Sequence, residues 1–99
     1  MVFDPHLGAL LMFGGCTGTD VAEDPLVPQN DAWVFNARSS TWHQLSPRNA
    51  PSPRGWHSMV YATQSGRAVV FGGGASRETP THEAWIYISR LNGWKNTLD

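Results

Sequence analysis

Four apolar residues closed by two glycines occur twice in this chain, as Leu10-Leu11-Met12-Phe13-Gly14-Gly15 and as Ala68-Val69-Val70-Phe71-Gly72-Gly73. Each reads as a buried strand that stops where the backbone needs a freedom only glycine allows. The two copies lie 58 residues apart, and Met1-Val2-Phe3 and Met59-Val60-Tyr61 keep the same spacing. Further on, Asp31-Ala32-Trp33-Val34-Phe35 is matched by Glu83-Ala84-Trp85-Ile86-Tyr87, and Trp42 by Trp94, at a spacing of 52. The shortfall lies between the double glycine and the acid-Ala-Trp segment, where one connection is shorter in the second copy. Length change in a single connection, with its flanks in register, is how loops behave on a repeated scaffold. Two copies of one unit fill the 99 residues, the first over 1–46 and the second over 47–99.

The unit is all-β. Its patterning predicts strands over 1–4, 9–13, 31–36 and 41–45, then 56–62, 67–71, 83–88 and 93–98, with loops over 16–30 and 74–82. The second and third strands of each unit carry apolar residues on both faces, which suits strands sandwiched between layers. The fourth, with Thr41, His43 and Gln44, reads as the outer and wetter one. Ten glycines, seven prolines and five tryptophans fit short strands joined by tight turns, and Gln64-Ser65-Gly66 and Leu91-Asn92-Gly93 supply two of those turns. Pro47, Pro51 and Pro53 stiffen the connection between the units.

A formal net charge of -1 gives no electrostatic case for nucleic acid or an anionic membrane. The charge is unevenly placed, with a net of -4 up to Ser46 and +3 from Pro47, which favours head-to-tail packing of one chain on the next. The lone Cys16 forms no internal disulfide. The start has no basic n-region followed by a long apolar core, and no apolar run approaches bilayer length. The compartment stays open, with the cytoplasm favoured.

The repeated positions carry a resemblance. The chain resembles the kelch repeat family, whose pattern runs from Arg-x-x-His-Ser through a double glycine to a spaced aromatic and a Trp. Here those are Arg54, His57 and Ser58, then Gly72, Gly73, Tyr87 and Trp94, with Gly14, Gly15, Phe35 and Trp42 in the first copy. The Pro53-Arg54-Gly55-Trp56-His57-Ser58 opening is similar to kelch-type repeats related to the galactose oxidase central domain. The resemblance implies that each unit is one four-stranded antiparallel blade of a β-propeller, with its first strand at the channel and its fourth at the rim. Propellers typically have about four to eight blades, so two leave the ring incomplete and both outer sheet faces bare. The expectation is a segment of a longer propeller, or else a protomer that completes its ring with copies of itself.

The chemistry-bearing residues have structural explanations as well as functional ones. The double glycines are followed by no helix pattern and no Gly-Lys-Ser/Thr, so they read as turns and not as a phosphate cradle. Trp33, Trp42, Trp85 and Trp94 sit at repeat-equivalent strand positions and read as core, while Trp56 has no twin. His6, His43, His57 and His82 show no ligand spacing, and His57 reads as making a structural hydrogen bond within its blade; no metal or cofactor is expected. Tyr61, Tyr87 and Cys16 do not reproduce the copper site of galactose oxidase, and no catalytic order of Ser, His and Asp stands out. An activity of the chain's own is therefore not the expectation.

Binding remains. The resemblance implies that loops at one end of the blades hold a protein partner or ligand, and the expected contacts are Arg54, Trp56, Asp20 and Arg77. A charged fork and an aromatic anchor dominate many interfaces, although Arg54 also belongs to the motif and has a bracing role open to it. The alternative in a different class is a fragment of a galactose-oxidase-like or sugar-converting propeller whose active residues come from other blades.

Overall fold

A computed structural model describes residues 1–76 and 78–97. The elements are β1 (Val2–Asp4), β2 (Ala9–Thr17), β3 (Val27–Asn36), β4 (Thr41–Leu45), β5 (Gly55–Ala62), β6 (Arg67–Gly74), β7 (Ala84–Ile88) and β8 (Gly93–Asn96), with one 3-10 turn at Ser89–Leu91. They form two four-stranded antiparallel sheets, ordered β1-β2-β3-β4 and β5-β6-β7-β8. Each sheet is one repeat, and each strand pairs with its neighbour in sequence. Leu98, placed in the last strand by patterning, lies outside the described residues, as do Arg77 and Asp99.

The double glycines do not end their strands. In β2 the register shifts between Phe13 and Gly15, after which pairing resumes as Gly15 with Gln29, Cys16 with Pro28 and Thr17 with Val27. This is a bulge, which uses positive-φ glycine to bend a strand without ending its ladder. The loop expected over 16–30 therefore shrinks to 18–26, because β3 begins at Val27. Likewise β6 continues to Gly74. A Cβ on Gly14 would stand 2.9 Å from the Arg54 carbonyl oxygen and 3.2 Å from the His57 ring, so the absent side chain lets the second sheet approach.

Strand register assigns the two faces of each sheet. The front of the first sheet carries Phe3, Leu10, Phe35 and Trp42, and that of the second the equivalent Tyr61, Ala68, Tyr87 and Trp94. The backs carry Leu11, Phe13, Ala32 and Val34 in the first sheet and Val60, Val69, Phe71 and Ile86 in the second. The core lies where the back of the first meets the front of the second. Leu11, Phe13 and Ala32 are buried there against Ala68, Val70, Tyr87 and Trp94, with the Phe13 and Trp94 ring centroids 4.9 Å apart. Burial of this kind removes apolar surface from water at about 25 cal/mol per Å2 and is what holds the pair together.

Trp42 departs from the core assignment made by repeat equivalence. Trp94 is 4% exposed and Trp42 49%, although Trp42 keeps a ring contact with Phe35 at 4.9 Å. The reason is position in the stack: the front of the first sheet has no sheet before it in this chain, and the back of the second has none after it. Phe3, Val60 and Phe71 are exposed for the same reason.

The proline-rich connection crosses from the first sheet to the edge of the second. Arg48 pairs with Gly93 as an isolated parallel bridge, its N–H donating to the Asn92 carbonyl while its own carbonyl accepts from the Trp94 N–H, both at 2.9 Å. From there the chain passes buried Pro51 and enters β5, and the Arg54 N–H donates to the Gln29 carbonyl at 3.0 Å.

Candidate functional site

β5 opens between the ends of β2 and β6, and the residues around its start converge there. Arg54 is 1% exposed. Its Nη2 donates to Glu83 Oε1 at 2.9 Å and to Ser52 Oγ at 3.0 Å, Nη1 donates to the Gly72 carbonyl at 3.3 Å, and Nε donates to the Ser52 carbonyl at 3.1 Å. A buried guanidinium with four hydrogen bonds and one carboxylate is a brace joining the connection, β6 and the start of β7. The structure therefore places Arg54 beneath the surface.

Glu83 is the other half of that brace. Its Oε1 also accepts from the Trp85 indole at 3.2 Å, and Asn96 Nδ2 donates to Oε2 at 3.5 Å. The hydrogen bond from Arg54 first, and that from Trp85 second, hold the Glu83 carboxyl below its ordinary range. The same local device recurs in the first repeat, where the Trp33 indole donates to Asp31 Oδ2 at 2.7 Å. The repeated acid-Ala-Trp segment is thus a carboxylate that fixes the indole two residues along.

His57 lies at the meeting of the sheets. Its ring meets Phe13 edge-on at a centroid distance of 5.7 Å, and its Nδ1 is buried without a hydrogen-bond partner among the described residues. Desolvation by burial pushes its pKa below the usual 6.5, with the nearby Phe13 backbone pulling the other way. A neutral imidazole packed on the first sheet is a bridge between blades.

Trp56 follows Arg54 by two residues and points elsewhere. Its φ is 57°, in the left-handed region that a bulky side chain seldom occupies, and it is 45% exposed. It lines a cavity of about 280 Å3 with Asp20, Pro25 and Leu26 from the β2–β3 loop, and Ala75, Ser76 and Glu78 from the β6–β7 loop. Of the four expected contact residues, the structure brings Trp56 and Asp20 to one cavity, whereas Arg54 is buried and does not line it; Arg77 lies outside the described residues. Glu78 and Ser76 were not foreseen, since an aperiodic loop carries no signal of what it lines. Glu83 was within reach, because it repeats Asp31.

Among the described residues no three His, Cys, Asp or Glu side chains gather to hold a metal ion. No described helix is long and apolar enough to cross a membrane.

Two four-stranded sheets stacked face to face, each a single sequence repeat, define a β-propeller segment. Comparison with known proteins agrees. The chain is 36% identical over 78 residues to N-acetylneuraminate epimerase of Pasteurella multocida, covering 79% of this chain and 18% of that protein. It is 35% identical over 75 residues to Kelch domain-containing protein 2 of Homo sapiens, covering 76% and 17%, and 33% identical over 66 residues to the Bos taurus protein of that name, covering 66% and 16%. No family model matches. The chain belongs to the kelch repeat family, and it spans less than a fifth of the length of these relatives.

Proposed function

We propose that this two-blade kelch segment is a recognition platform, and that its contact surface is the loop end around Trp56. The observation that carries the reading is Trp56 itself: a large aromatic held at positive φ, half exposed, between loops from two different blades. Backbone strain at an exposed anchor is retained where the surroundings over-determine it, and such sites cluster at ligand clamps. Aromatic anchors in a cavity dominate protein interfaces. Arg54 serves by bracing the start of β5, so that Trp56 is presented from a rigid base. Asp20 belongs to the rim of the same surface, and Arg77, from the second loop, is assigned to it by sequence position. The partner in this reading is a protein segment.

The experiment is selection of binders from a displayed random-peptide library against the native chain, followed by titration into Trp56→Ala. Selected peptides lose at least tenfold in affinity on Trp56→Ala, while Val60→Ala on the sheet face leaves them unchanged. Peptides that bind Trp56→Ala as well as the native chain contradict the reading.

A second reading is favoured by the epimerase relative: the same loop end contributes part of a sugar-converting site completed by other blades. Saturation-transfer NMR with N-acetylneuraminate separates the two, because only this reading predicts contact between the sugar and Trp56.

A further inference from the structure

We propose that the turn end of the second sheet, opposite the loop end that carries Trp56, is a docking site for an acidic protein segment with apolar residues among its acids. Each sheet is a meander of consecutive antiparallel strands, so the β5–β6 and β7–β8 turns lie at one end and the β6–β7 loop at the other. At that turn end Arg48, Ile88, Arg90, Leu91 and Trp94 line a cleft of about 380 Å3. It adjoins a second cleft of about 190 Å3, which shares Ile88 and Arg90 and adds Arg67 from β6 and His6 from the β1–β2 turn of the first sheet. Three arginines and a histidine thus converge on one surface, and among the described residues no acid lines either cleft.

The charges on this surface are not spent inside the protein. Among the described residues, no hydrogen bond or ion pair engages the side chains of Arg48, Arg67 or Arg90, in contrast with Arg54, whose guanidinium is buried and paired with Glu83. The acid in the turn beside His6 is Asp4, which is 1% exposed and whose Oδ1 accepts from the His6 and Leu7 N–H groups at 2.9 and 3.4 Å. The backbone under the arginines is fixed. Arg48 is held to β8 by its two 2.9 Å hydrogen bonds with Asn92 and Trp94. Arg90 sits in the 3-10 turn that Asn92 closes at a φ of 45°, where the Asn92 N–H donates to the Ser89 carbonyl and Asn92 Oδ1 accepts from the Tyr87 hydroxyl at 2.8 Å. A fixed base under both cations lowers the entropy lost on binding.

Chemistry narrows the occupant. Guanidinium groups favour carboxylates and phosphates, which they hold with paired hydrogen bonds. Leu91, which is 59% exposed, joins Ile88 and Trp94 to give the larger cleft an apolar wall, and a peptide side chain fills such a wall where a sugar-phosphate backbone does not. The net charge of -1 also opposes a long polyanion such as nucleic acid. Charge complementarity with an apolar wall therefore selects an acidic, partly apolar peptide. The first repeat supplies an internal contrast: Arg38 is the equivalent of Arg90, yet among the described residues its cleft holds no second basic side chain. The turn end and the loop end are separate, so this inference and the proposed function fail independently.

The test is fluorescence anisotropy of a labelled Glu-Leu-Glu-Glu-Leu-Glu peptide, blocked at both ends, titrated with the full chain and with Arg48→Gln, Arg90→Gln and Arg38→Gln, each checked for retained β structure by circular dichroism. The native chain binds the peptide, and binding weakens as salt is raised. Arg48→Gln and Arg90→Gln each lower the affinity about tenfold, whereas Arg38→Gln, which makes the same change in net charge, leaves it unchanged. A peptide with Gln in place of every Glu does not bind. Should a variant lose its β structure, amide chemical shifts of the native chain decide instead: added peptide moves the Arg90 and Leu91 signals and leaves those of Ala37 and Arg38 in place. No binding of the acidic peptide, equal binding of the Gln peptide, equal loss in Arg38→Gln and Arg90→Gln, shifts spread evenly over the chain, or tighter binding of a labelled oligothymidylate through the same arginines overturns the proposal.

Discussion

Trp42 and Trp94 occupy the same position in the two repeats, yet Trp94 is enclosed between Phe13 and Tyr87 while Trp42 lies open beside Phe35. The difference belongs to the stack and not to the repeat. Truncating Trp94 removes an aromatic from the only closed sheet interface among the described residues, and Trp94→Ala costs about 3 to 5 kcal/mol. Trp42→Ala costs under about 1 kcal/mol in the monomer, because its lost area is already wet. Urea unfolding of both variants, under conditions that keep the chain monomeric, reads the contrast.

Arg54 and Glu83 make a second contrast. Removing the buried guanidinium leaves the Gly72 carbonyl without its donor and Glu83 without its cation, and Arg54→Ala costs about 3 kcal/mol or more. Glu83→Gln is milder, since Glu83 is a third exposed and water screens the exchange. Equal losses in the two variants, measured by thermal unfolding, contradict the assignment of Arg54 as a buried brace.

Acid acts on this fold in two stages. The His57 pKa is lower in the folded chain than in the unfolded one, so the unfolded state takes up the proton first and stability is lost as pH falls below about 6.5. The Glu83 pKa is likewise lowered on folding, so its contribution is present above about 4.5 and is lost as pH falls further. A melting-temperature profile from pH 8 to 3 shows a decline in both windows. His57→Gln flattens the upper one and Glu83→Gln the lower.

The two glycines after Phe71 are not equivalent. A Cβ on Gly72 meets only the Thr81 carbonyl at an ordinary 3.6 Å, so Gly72→Val is strained by its φ of 74° alone and costs about 1 to 3 kcal/mol. On Gly73 a Cβ falls 2.8 Å from His57 Cβ and 2.5 Å from the Gly55 carbonyl, and clash adds to strain. Gly73→Ala therefore destabilises more than Gly72→Ala. Differential scanning calorimetry of the two alanine variants checks the order.

Much of this fold is legible because a repeat exposes its own rules. The matched spacing of Phe13 with Phe71 and Trp42 with Trp94 fixes the unit, and alternation along β7 fixes which side chains share a face. The double glycine misled, because positive φ serves a bulge as readily as a strand end, and only the partner strand decides between them. Trp42 misled because burial is a property of the neighbouring sheet, which one repeat does not encode. At the site, Trp56 stood out as the tryptophan without a twin. The depth of Arg54 did not, because a motif arginine reads equally as fork or brace until Glu83, 29 residues on, is seen beside it.

The central claim is that the back of the first sheet packs on the front of the second, and the contact between Phe13 and Trp94 tests it most directly. Nuclear Overhauser measurements on the native chain show cross-peaks between the Phe13 ring and the Trp94 indole, whose centroids are 4.9 Å apart. Absence of those cross-peaks, with Phe13 instead contacting Trp42, contradicts the stacking and with it the two-blade account.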